Sequence, residues 1–269
     1  MLVPANIRPV TIASSAILAA IAWLLWAGAA HALTYRSPRP HDINVALAML
    51  FARVHARVMQ RVRVEGRENV PAMREPGPLV VVANHTSGLD PMLIQTVCPF
   101  EIKWMMAKDM QHPRFAWLWE LADVISVSRV EVAGENGGTI HRGNDSAAAR
   151  VAIKHLKSGG VVGVYPEGRI APPGRIVAFA PGVGLLVSRG AARVLQVVIE
   201  GTARTESISA ALVVPARARL RFLPMRDYAG MSAGEISRDL ELRLIAETGW
   251  RLEAAGESST PQISTDGDR

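Results

Sequence analysis

Short runs of β-branched apolar residues alternate with helical segments along this chain, and that alternation limits the folds open to it. The first run is rich in β-branched residues and is predicted to be a buried strand, and the other runs are predicted to be strands as well. The runs span residues 78–83, 101–107, 124–128, 161–165 and 194–199. Helical segments are predicted near residues 92–97, 115–121 and 145–157, and from residue 181 onward. The pattern predicts an α/β fold with a mainly parallel or mixed sheet flanked by helices.

The C-terminal third adds one more strand and a closing helix. After Pro215 the arginines at positions 217, 219 and 221 alternate with apolar residues, which is typical of a half-buried strand with a basic outer face. Residues 232–255 are predicted to form an amphipathic helix, with an interruption at Gly249 as the alternative. The polar tail, residues 256–269, is predicted to be disordered.

An uncharged apolar segment lies near the N-terminus. Residues 10–33 contain no Asp, Glu, Lys or Arg, and a helix of this length spans the ~30 Å hydrocarbon layer of a membrane. The tripeptide Ala-His-Ala at 30–32 also resembles a signal-peptide cleavage site, which leaves a cleaved leader as the alternative. Because apolar regions of signal peptides usually span about 7–15 residues, the length favours an uncleaved membrane anchor over residues 1–35.

Basic residues follow the apolar segment. More arginines lie on its C-terminal side than on its N-terminal side, so the positive-inside rule predicts a cytoplasmic catalytic domain. Residues 36–75 are predicted to comprise a linker and a helix that Asp42 caps. Arg53, Arg57 and Arg61 form a stripe spaced by four residues. Such a helix suits the surface of an anionic membrane, or it packs against its own domain with a solvated charged face.

The charge of the whole chain also narrows its partners. Its 30 Lys and Arg against 24 Asp and Glu give a net charge of +6, which indicates a membrane surface, a phosphorylated substrate or nucleic acid. The chain has no zinc-finger, helix-turn-helix or aromatic RNA-binding signature, so no nucleic-acid partner is predicted. The single cysteine, Cys98, excludes an internal disulfide and a multi-cysteine metal site.

A polar stretch, residues 84–91, joins the first apolar run to the helix after it. Asp90 and Pro91 are predicted to begin that helix, with Asp90 as its N-cap. Gly88 allows the loop to turn back, which brings Asp90 beside His85. A carboxylate beside an imidazole fixes its tautomer and raises its basicity, so His85 is a candidate general base and Asp90 its orienting group. The alternative is a simple helix cap beside a solvated histidine.

Two further strand ends carry charged residues. Arg129 follows the run 124–128, and Glu167 follows the run 161–165. Ligands of parallel sheets bind at the carboxyl ends of the strands, so His85, Arg129 and Glu167 are predicted to share one site if their strands are neighbours. The alternatives are a surface salt bridge for Arg129 and a simple turn at Glu167 and Gly168.

The residues from Asn84 to Asp90 resemble the His-x-x-x-x-Asp signature of the glycerolipid acyltransferases, the family that includes lysophosphatidate acyltransferase. The string Tyr165-Pro-Glu-Gly168 resembles the aromatic-Pro-Glu-Gly block of that family, and Arg129 matches the Arg that ends its preceding block. The resemblance covers residues 79–201. It implies that His85 deprotonates a substrate hydroxyl while Asp90 orients it. It also implies that the glycerol-phosphate part of the acceptor is bound by Arg129, Glu167, Gly168 and Arg169.

Three departures from the family pattern concern the acceptor. Many members read Glu-Gly-Thr-Arg where this chain has Glu-Gly-Arg-Ile at 167–170, which is more similar to bifunctional lysophosphatidylethanolamine acyltransferases. Asp123 stands where the family usually has Gly, and Gln196-Val197 lies where a Pro is common. These differences leave the acyl-transfer chemistry in place and the acceptor head group open.

The resemblance implies a membrane-bound O-acyltransferase that acts on a lysophospholipid. The acyl donor is a thioester, either acyl-CoA or acyl-carrier protein, and no metal, cofactor or covalent enzyme intermediate is required. The acyltransferase domain is predicted over residues 76–255. Two other functions remain as alternatives: a lipid thioesterase or hydrolase, and a non-catalytic membrane-binding protein. A serine hydrolase is disfavoured because the chain has no Gly-x-Ser-x-Gly elbow.

Overall fold

The computed structural model describes residues 9–35, 37–133, 139–143, 146–203 and 208–253, and describes the backbone alone at 9–17, 129–133, 139–143 and 208. Its strands are β1 (Arg63–Glu65), β2 (Leu79–Ala83), β3 (Lys103–Ala107), β4 (Ile125–Val127), β5 (Arg129–Ala133), β6 (Thr139–Gly143), β7 (Val161–Val164), β8 (Arg175–Ile176), β9 (Arg193–Glu200), β10 (Arg219–Phe222) and β11 (Arg251–Leu252). Its helices are α1 (Pro9–Tyr35), α2 (Ile43–Val58), α3 (Asp90–Val97), α4 (Ala116–Leu121), α5 (Ser146–Lys157), α6 (Gly182–Gly190), α7 (Ile208–Val213) and α8 (Ala233–Thr248).

A mixed seven-stranded sheet lies at the centre, in the order β1-β10-β9-β2-β7-β3-β4. The five strands from β9 to β4 run parallel to one another, and β10 is antiparallel to β9. Two small sheets accompany it, the antiparallel pair β5–β6 and the parallel pair β8–β11. This arrangement confirms the predicted α/β fold with a mainly parallel or mixed sheet.

The central strand β2 explains why the predicted strands lack polar positions. Its alternate side chains enter two different cores, because successive residues of a strand point to opposite faces. Leu79 and Val81 pack with residues of α2, α3 and α7 on one face, whereas Val80 and Val82 pack with α5, α6 and α8 on the other. The sheet is therefore covered by helices on both sides, as parallel sheets usually are.

The end of α8 differs from its prediction. The helix has a capping box at Ser232 and Glu235, and it ends before Gly249, whose φ of 68° few other residues adopt readily. The chain then leaves the helix direction, and β11 pairs with β8. The prediction of a helix reaching residue 255 was wrong, and the predicted interruption at Gly249 is where it stops. The tail predicted to be disordered, residues 256–269, lies outside the described residues.

One departure from the family pattern has a clear backbone consequence. Asp123, which stands where the family usually has Gly, has a φ of 46°, in the left-handed region that favours glycine. Asp tolerates this region better than most residues. Its carboxylate also forms an ion pair with Lys103.

The N-terminal helices differ in how they meet the domain. Within α1, the segment Leu18–Tyr35 is long and apolar enough to cross a membrane, a property that anchors and signal sequences share. The helix α2, which Asp42 caps as predicted, packs on the domain through small or compact residues such as Ala46, Ala52 and Ala56. Met49 is buried as well, whereas six other large apolar side chains lie exposed: Ile43, Leu47, Leu50, Phe51, Val54 and Val58.

The helix α2 packs against its own domain, and it also leaves an apolar stripe exposed beside its charged residues. Its predicted amphipathic character is therefore present, and contact of α2 with a membrane stays a prediction. The predicted basic stripe is shorter than expected, because Arg61 lies beyond the end of the helix at Val58.

Candidate active site

The strands β2 and β7 place two predicted site residues next to each other. They are neighbours in the sheet and run parallel, with Val82 opposite Val164, so the loops after them leave the same edge. His85 lies in the loop after β2, and Glu167 lies in the loop after β7. The structure therefore brings His85 and Glu167 together at the carboxyl edge of the sheet, where α/β folds bind ligands.

His85 and Asp90 form a hydrogen-bonded pair. The distance from His85 Nδ1 to Asp90 Oδ2 is 3.0 Å. Asp90 is fully buried, whereas the His85 side chain is 19% exposed. Asp90 Oδ2 also accepts hydrogen bonds from the backbone N–H groups of Thr86 at 2.6 Å and Ser87 at 2.8 Å. The Thr86 hydroxyl makes longer contacts to the same carboxylate, at 3.3 and 3.4 Å. These donors hold the carboxylate in place, and the carboxylate orients the imidazole through Nδ1.

This geometry corrects the predicted role of Asp90 as an N-cap. Asp90 is the first residue of α3 and Leu89 occupies the cap position. The carboxylate of Asp90 accepts from N–H groups that precede it, in the loop, instead of from N–H groups of the helix. Pro91 still occupies an early helical position, as predicted.

Two side chains hold the His85 loop against β9 and the loop after it. The Asn84 amide donates to the carbonyl of Ile199 at 2.8 Å and accepts from its N–H at 2.7 Å. The Thr86 hydroxyl lies 2.7 Å from that of Thr202. Both contacts are buried, so they fix the strand end from which His85 projects.

The segment after β7 holds the backbone of His85 on both sides. The N–H of His85 donates to Glu167 Oε1 at 2.8 Å, and the N–H of Ala171 donates to the carbonyl of His85 at 2.9 Å. Glu167 Oε2 accepts from the N–H of Val177 at 2.9 Å. Glu167 is only 6% exposed. In this structure it connects the histidine loop to the segment that leads into α6.

Two aromatic rings stack in series on one face of the His85 imidazole. The His85 ring stacks on Tyr165 with 4.2 Å between centroids, and Tyr165 stacks on Trp104 at 5.0 Å. Trp104 fits there because residue 163 is glycine: a Cβ on Gly163 would lie 2.4 Å from the indole. The imidazole therefore has fixed neighbours on its face and at Nδ1, and Nε2 is the nitrogen left to accept a proton.

The other predicted site residues are Gly168, Arg169 and Arg129, which the structure places at a turn, in an ion pair and at the start of a strand. Gly168 has a φ of 68° and forms the turn that follows Glu167. Arg169 forms an ion pair with Glu253, and its own side chain is 47% exposed. Arg129 opens β5, and its side chain lies outside the described part of the structure. The strand before it along the chain, β4, is at the edge of the main sheet, two strands from β7, and β5 itself pairs with β6 in a separate sheet.

Several residues that hold the site have no signature in the sequence. Ala171 and Thr202 are far from His85 along the chain, Glu253 is far from Arg169, and nothing local marks these contacts. The stack of Tyr165 on Trp104 depends on the neighbouring positions of β7 and β3, which the order of segments does not show. Gly163, a glycine inside a buried strand, is the one signal available, because such a glycine often marks a close approach.

Burial changes the acid–base chemistry of Glu167. It raises the pKa of this carboxyl to about 7, although the N–H groups of Val177 and His85 act in the opposite direction. Unfolded Glu has a pKa of about 4.5, so between these values the folded chain holds a proton that the unfolded chain has released. The contribution of Glu167 to the free energy of unfolding therefore falls as the pH rises through this range, and it is constant above it.

We expect Glu167→Gln to lower kcat about 10-fold. An amide offers one acceptor where two buried N–H groups each need one, and an unsatisfied N–H costs about 1–3 kcal/mol. The Tm of the wild type should fall relative to that of the variant between about pH 5 and about pH 8, because only the wild type carries the ionising group. Steady-state kinetics and thermal unfolding over this range test both effects. An unchanged kcat, or parallel Tm curves, contradicts the assignment.

Among the described residues, no group of three or more His, Cys, Asp or Glu side chains is arranged to hold a metal ion. His85 and Asp90 form the acid–base pair of the site. The pair offers a positioned base with an exposed edge, which suits removal of a proton from a hydroxyl group or from water.

Comparison with known proteins agrees with this geometry. The family model described as Acyltransferase matches residues 61–200, a stretch that runs from just before β1 to the end of β9 and contains His85, Asp90 and Glu167. The fold is similar to that of the 1-acyl-sn-glycerophosphate (LPA) acyltransferase PlsC from Thermotoga maritima. The TM-score is 0.59 at 23% sequence identity, over 81% of this chain and 86% of that one.

Proposed function

Because this chain belongs to the acyltransferase family, we propose that it moves an acyl chain from a thioester to the free hydroxyl of a lysophospholipid. The observation that carries the proposal is the 3.0 Å contact between His85 Nδ1 and Asp90 Oδ2, which leaves Nε2 to act on the hydroxyl. The T. maritima protein with a similar fold is an LPA acyltransferase by name, and lysophosphatidate is accordingly the acceptor we propose first.

The reaction follows from the position of the base. His85 Nε2 takes the proton of the acceptor hydroxyl while its oxygen attacks the thioester carbonyl. Asp90 stabilises the imidazolium that results. The tetrahedral intermediate then expels the thiolate, which recovers the proton from His85. An oxygen ester is formed and a thiol is released, so the sequence balances without a covalent enzyme intermediate.

The acceptor and donor are proposed from the chemistry of the site. Arg129 and Arg169 are the proposed phosphate ligands, because a guanidinium binds phosphate oxygens through parallel N–H donors. Glu167 and Gly168 precede Arg169 and shape the turn that carries it. The donor is acyl-CoA or acyl-carrier protein, which share the thioester that the reaction consumes.

We also propose that the protein is anchored to the membrane through α1, with its catalytic domain on the cytoplasmic side. The arginines that follow α1 support this orientation through the positive-inside rule. We propose that the exposed apolar stripe of α2 is a second contact with the membrane. Phe51 is 59% exposed and Val58 is 62% exposed, and a helix with such a face lies in the membrane interface. A lysophospholipid then reaches His85 from the bilayer.

A fluorophore at position 51 tests the contact between α2 and lipid. We expect Phe51→Cys, labelled with an environment-sensitive dye, to shift to shorter wavelength when phosphatidylglycerol vesicles are added to detergent-free protein. The native Cys98 stays unlabelled because it is 1% exposed and burial raises the pKa of its thiol to about 12. Val151→Cys on α5, where the side chain is 55% exposed, is the matched control. Equal spectra from the two labels contradict a membrane-facing α2.

Incubation of the purified protein with labelled acyl-CoA and a panel of lysolipids tests the function itself. Formation of labelled diacyl lipid supports the acyltransferase. Release of free fatty acid without diacyl lipid indicates the thioesterase or hydrolase alternative, in which water replaces the acceptor. Neither product, with acyl-CoA or with acyl-carrier protein as donor, indicates a non-catalytic membrane-binding protein.

A further inference from the structure

The ring of Tyr165 is held against the face of the His85 imidazole. Tyr165 follows β7 directly, and the N–H of Gly168 donates to its carbonyl at 3.0 Å. The centroids of the His85 and Tyr165 rings are 4.2 Å apart, and the two ring planes are inclined by 18°. Tyr165 and Trp104 stack at 5.0 Å with an angle of 13° between their planes. The three rings therefore form one continuous stack that ends at the imidazole.

Both faces of the Tyr165 ring are occupied. The strands β2 and β3 flank β7 on opposite sides in the sheet, so His85 after β2 and Trp104 in β3 lie against opposite faces of the ring. Trp104 is only 6% exposed. The Tyr165 ring thus offers neither face to a substrate, and its contribution to the reaction has to pass through His85.

Tyr165 meets His85 through its ring and not through its hydroxyl group. The hydroxyl oxygen is buried and has no hydrogen-bond partner among the described residues, and burying a hydroxyl without a partner is destabilising. Burial, with a smaller effect from the charge of Asp90, raises the pKa of Tyr165 well above its ordinary value. The side chain is therefore a neutral phenol, and it presents a π face to His85.

The charge of the imidazole changes during the proposed reaction, and a π face responds to that change. A general base is neutral before it takes the proton of the acceptor, and His85 is positive afterwards. The face of an aromatic ring attracts a cation that lies within about 6 Å of its centroid. Asp90 meets the imidazole at Nδ1, on the edge of the ring, so it does not compete with Tyr165 for the face. An interaction that strengthens as the charge develops lowers the barrier.

We propose that Tyr165 stabilises the imidazolium form of His85 during acyl transfer through a cation–π contact. Tyr165 is a positioning residue, because it acts on the acceptor only through His85. Trp104 supports the ring from the other side and keeps it at the distance where the contact is made. The inference rests on the proposed acyl-transfer function, and it adds a second source of stabilisation to that of Asp90.

Fluorinated phenylalanines at position 165 test the π face with little change in the shape of the side chain. Tyr165→Phe is the reference, and stop-codon suppression introduces phenylalanine with one, two or three ring fluorines. Each fluorine withdraws electron density from the face, so kcat should fall at every step, by about 10-fold over the series. The KM values for lysophosphatidate and acyl-CoA should change less than about twofold, because both faces of the ring are occupied. A constant kcat overturns the proposal.

Tyr165→Phe and Tyr165→Leu separate the ring from the bulk of the side chain. The phenylalanine keeps the π face and removes the unpartnered hydroxyl, so it should retain most of kcat without lowering the Tm. The leucine has no π system, and its kcat should be about 10-fold below that of Tyr165→Phe. Phe115→Leu is the matched control, since it removes a ring that meets a different histidine, His112, edge-on at 6.2 Å. Equal kcat values for Tyr165→Leu and Tyr165→Phe contradict the proposal.

Titration of His85 by NMR gives a readout that needs no turnover. The chain has seven histidines, and the signal of His85 is the one that is lost in His85→Ala. The pH at which half of His85 is protonated should fall along the fluorine series, because a weaker π face stabilises the imidazolium less. Asp90 and Glu167, the titratable groups that bind His85, are the same in every member of the series. Differences between members therefore report the ring.

The two experiments distinguish this inference from the proposed function. An active wild type whose kcat and titration do not respond to fluorine overturns the role of Tyr165 and leaves acyl transfer standing. A wild type that is inactive toward every lysolipid overturns acyl transfer, and the titration then decides the contact by itself. A midpoint that falls with each fluorine supports the cation–π contact, and a constant midpoint overturns it.

Discussion

His85→Ala should lower kcat for acyl transfer by about 10²- to 10⁴-fold, the usual contribution of a positioned general base. The hydroxyl of the acceptor is a poor nucleophile while it keeps its proton, and in the proposed mechanism Nε2 of His85 takes that proton. The fold should persist, because the backbone hydrogen bonds of His85 to Glu167 and Ala171 do not depend on its side chain. Release of the free thiol from acyl-CoA, followed with a thiol reagent at saturating acceptor, measures the loss.

The control for this experiment is His155→Ala, which removes a half-buried imidazole on the flanking helix α5. Its kcat should stay within a few-fold of wild type. The Tm of His85→Ala should be measured beside its kinetics, so that a loss of activity is not mistaken for a loss of fold. A folded His85→Ala variant with near-normal kcat means that another group is the base.

Asp90→Asn should lower kcat by about 10²-fold. The size of this loss depends on how the amide of the asparagine is oriented. The N–H groups of Thr86 and Ser87 both point at Oδ2, so they favour the amide oxygen at that position. The oxygen then still accepts from Nδ1 of His85, and only the charge that stabilises the imidazolium is lost, a contact worth about 1.5–3 kcal/mol. An amide turned the other way would hold the wrong tautomer, for which losses of about 10⁴-fold are known in other His–Asp pairs.

Asp90→Ala separates orientation from folding. It leaves the donors of His85, Thr86 and Ser87 without their buried acceptor, and each unsatisfied group costs about 1–3 kcal/mol. We therefore expect Asp90→Ala to lower the Tm by several degrees, whereas Asp90→Asn should nearly keep that of the wild type. Measurement of kcat, KM and Tm for both variants separates the loss of orientation from the loss of stability. A kcat of Asp90→Asn equal to wild type contradicts the role of the charge.

Local chemistry accounts for what could be predicted at the site. The pairing of His85 with Asp90 depends on a five-residue separation and one loop, so the sequence could present it as a candidate beside the alternative of a helix cap and a solvated histidine. Buried strands such as β2 are equally visible, because both of their faces must be apolar. The sequence predicted that His85 and Glu167 lie close together only if their strands are neighbours. In the structure β2 does pair with β7.

The errors arise where a local pattern has two solutions. Asp90 stands at a helix start, and capping the helix or accepting from the loop both satisfy its carboxylate. Residues 250–253 follow a helical pattern, yet Gly249 ends the helix and β8 offers the unpaired strand edge with which Arg251 and Leu252 pair. The large apolar residues of α2 follow helical spacing, which indicates an apolar face but does not tell which surface that face meets.

The sequence by itself determined the α/β class, the buried strands and the His85–Asp90 pair, because each follows from spacing and polarity within a few residues. Only the tertiary structure decided that Glu167 accepts from the N–H of His85, that Tyr165 and Trp104 stack beneath the imidazole, and that Glu253 pairs with Arg169. These contacts join residues from about 60 to 85 positions apart, and the order of strands in the sheet sets which of them meet. The free energy of packing the whole core selects that order, and no local pattern encodes it.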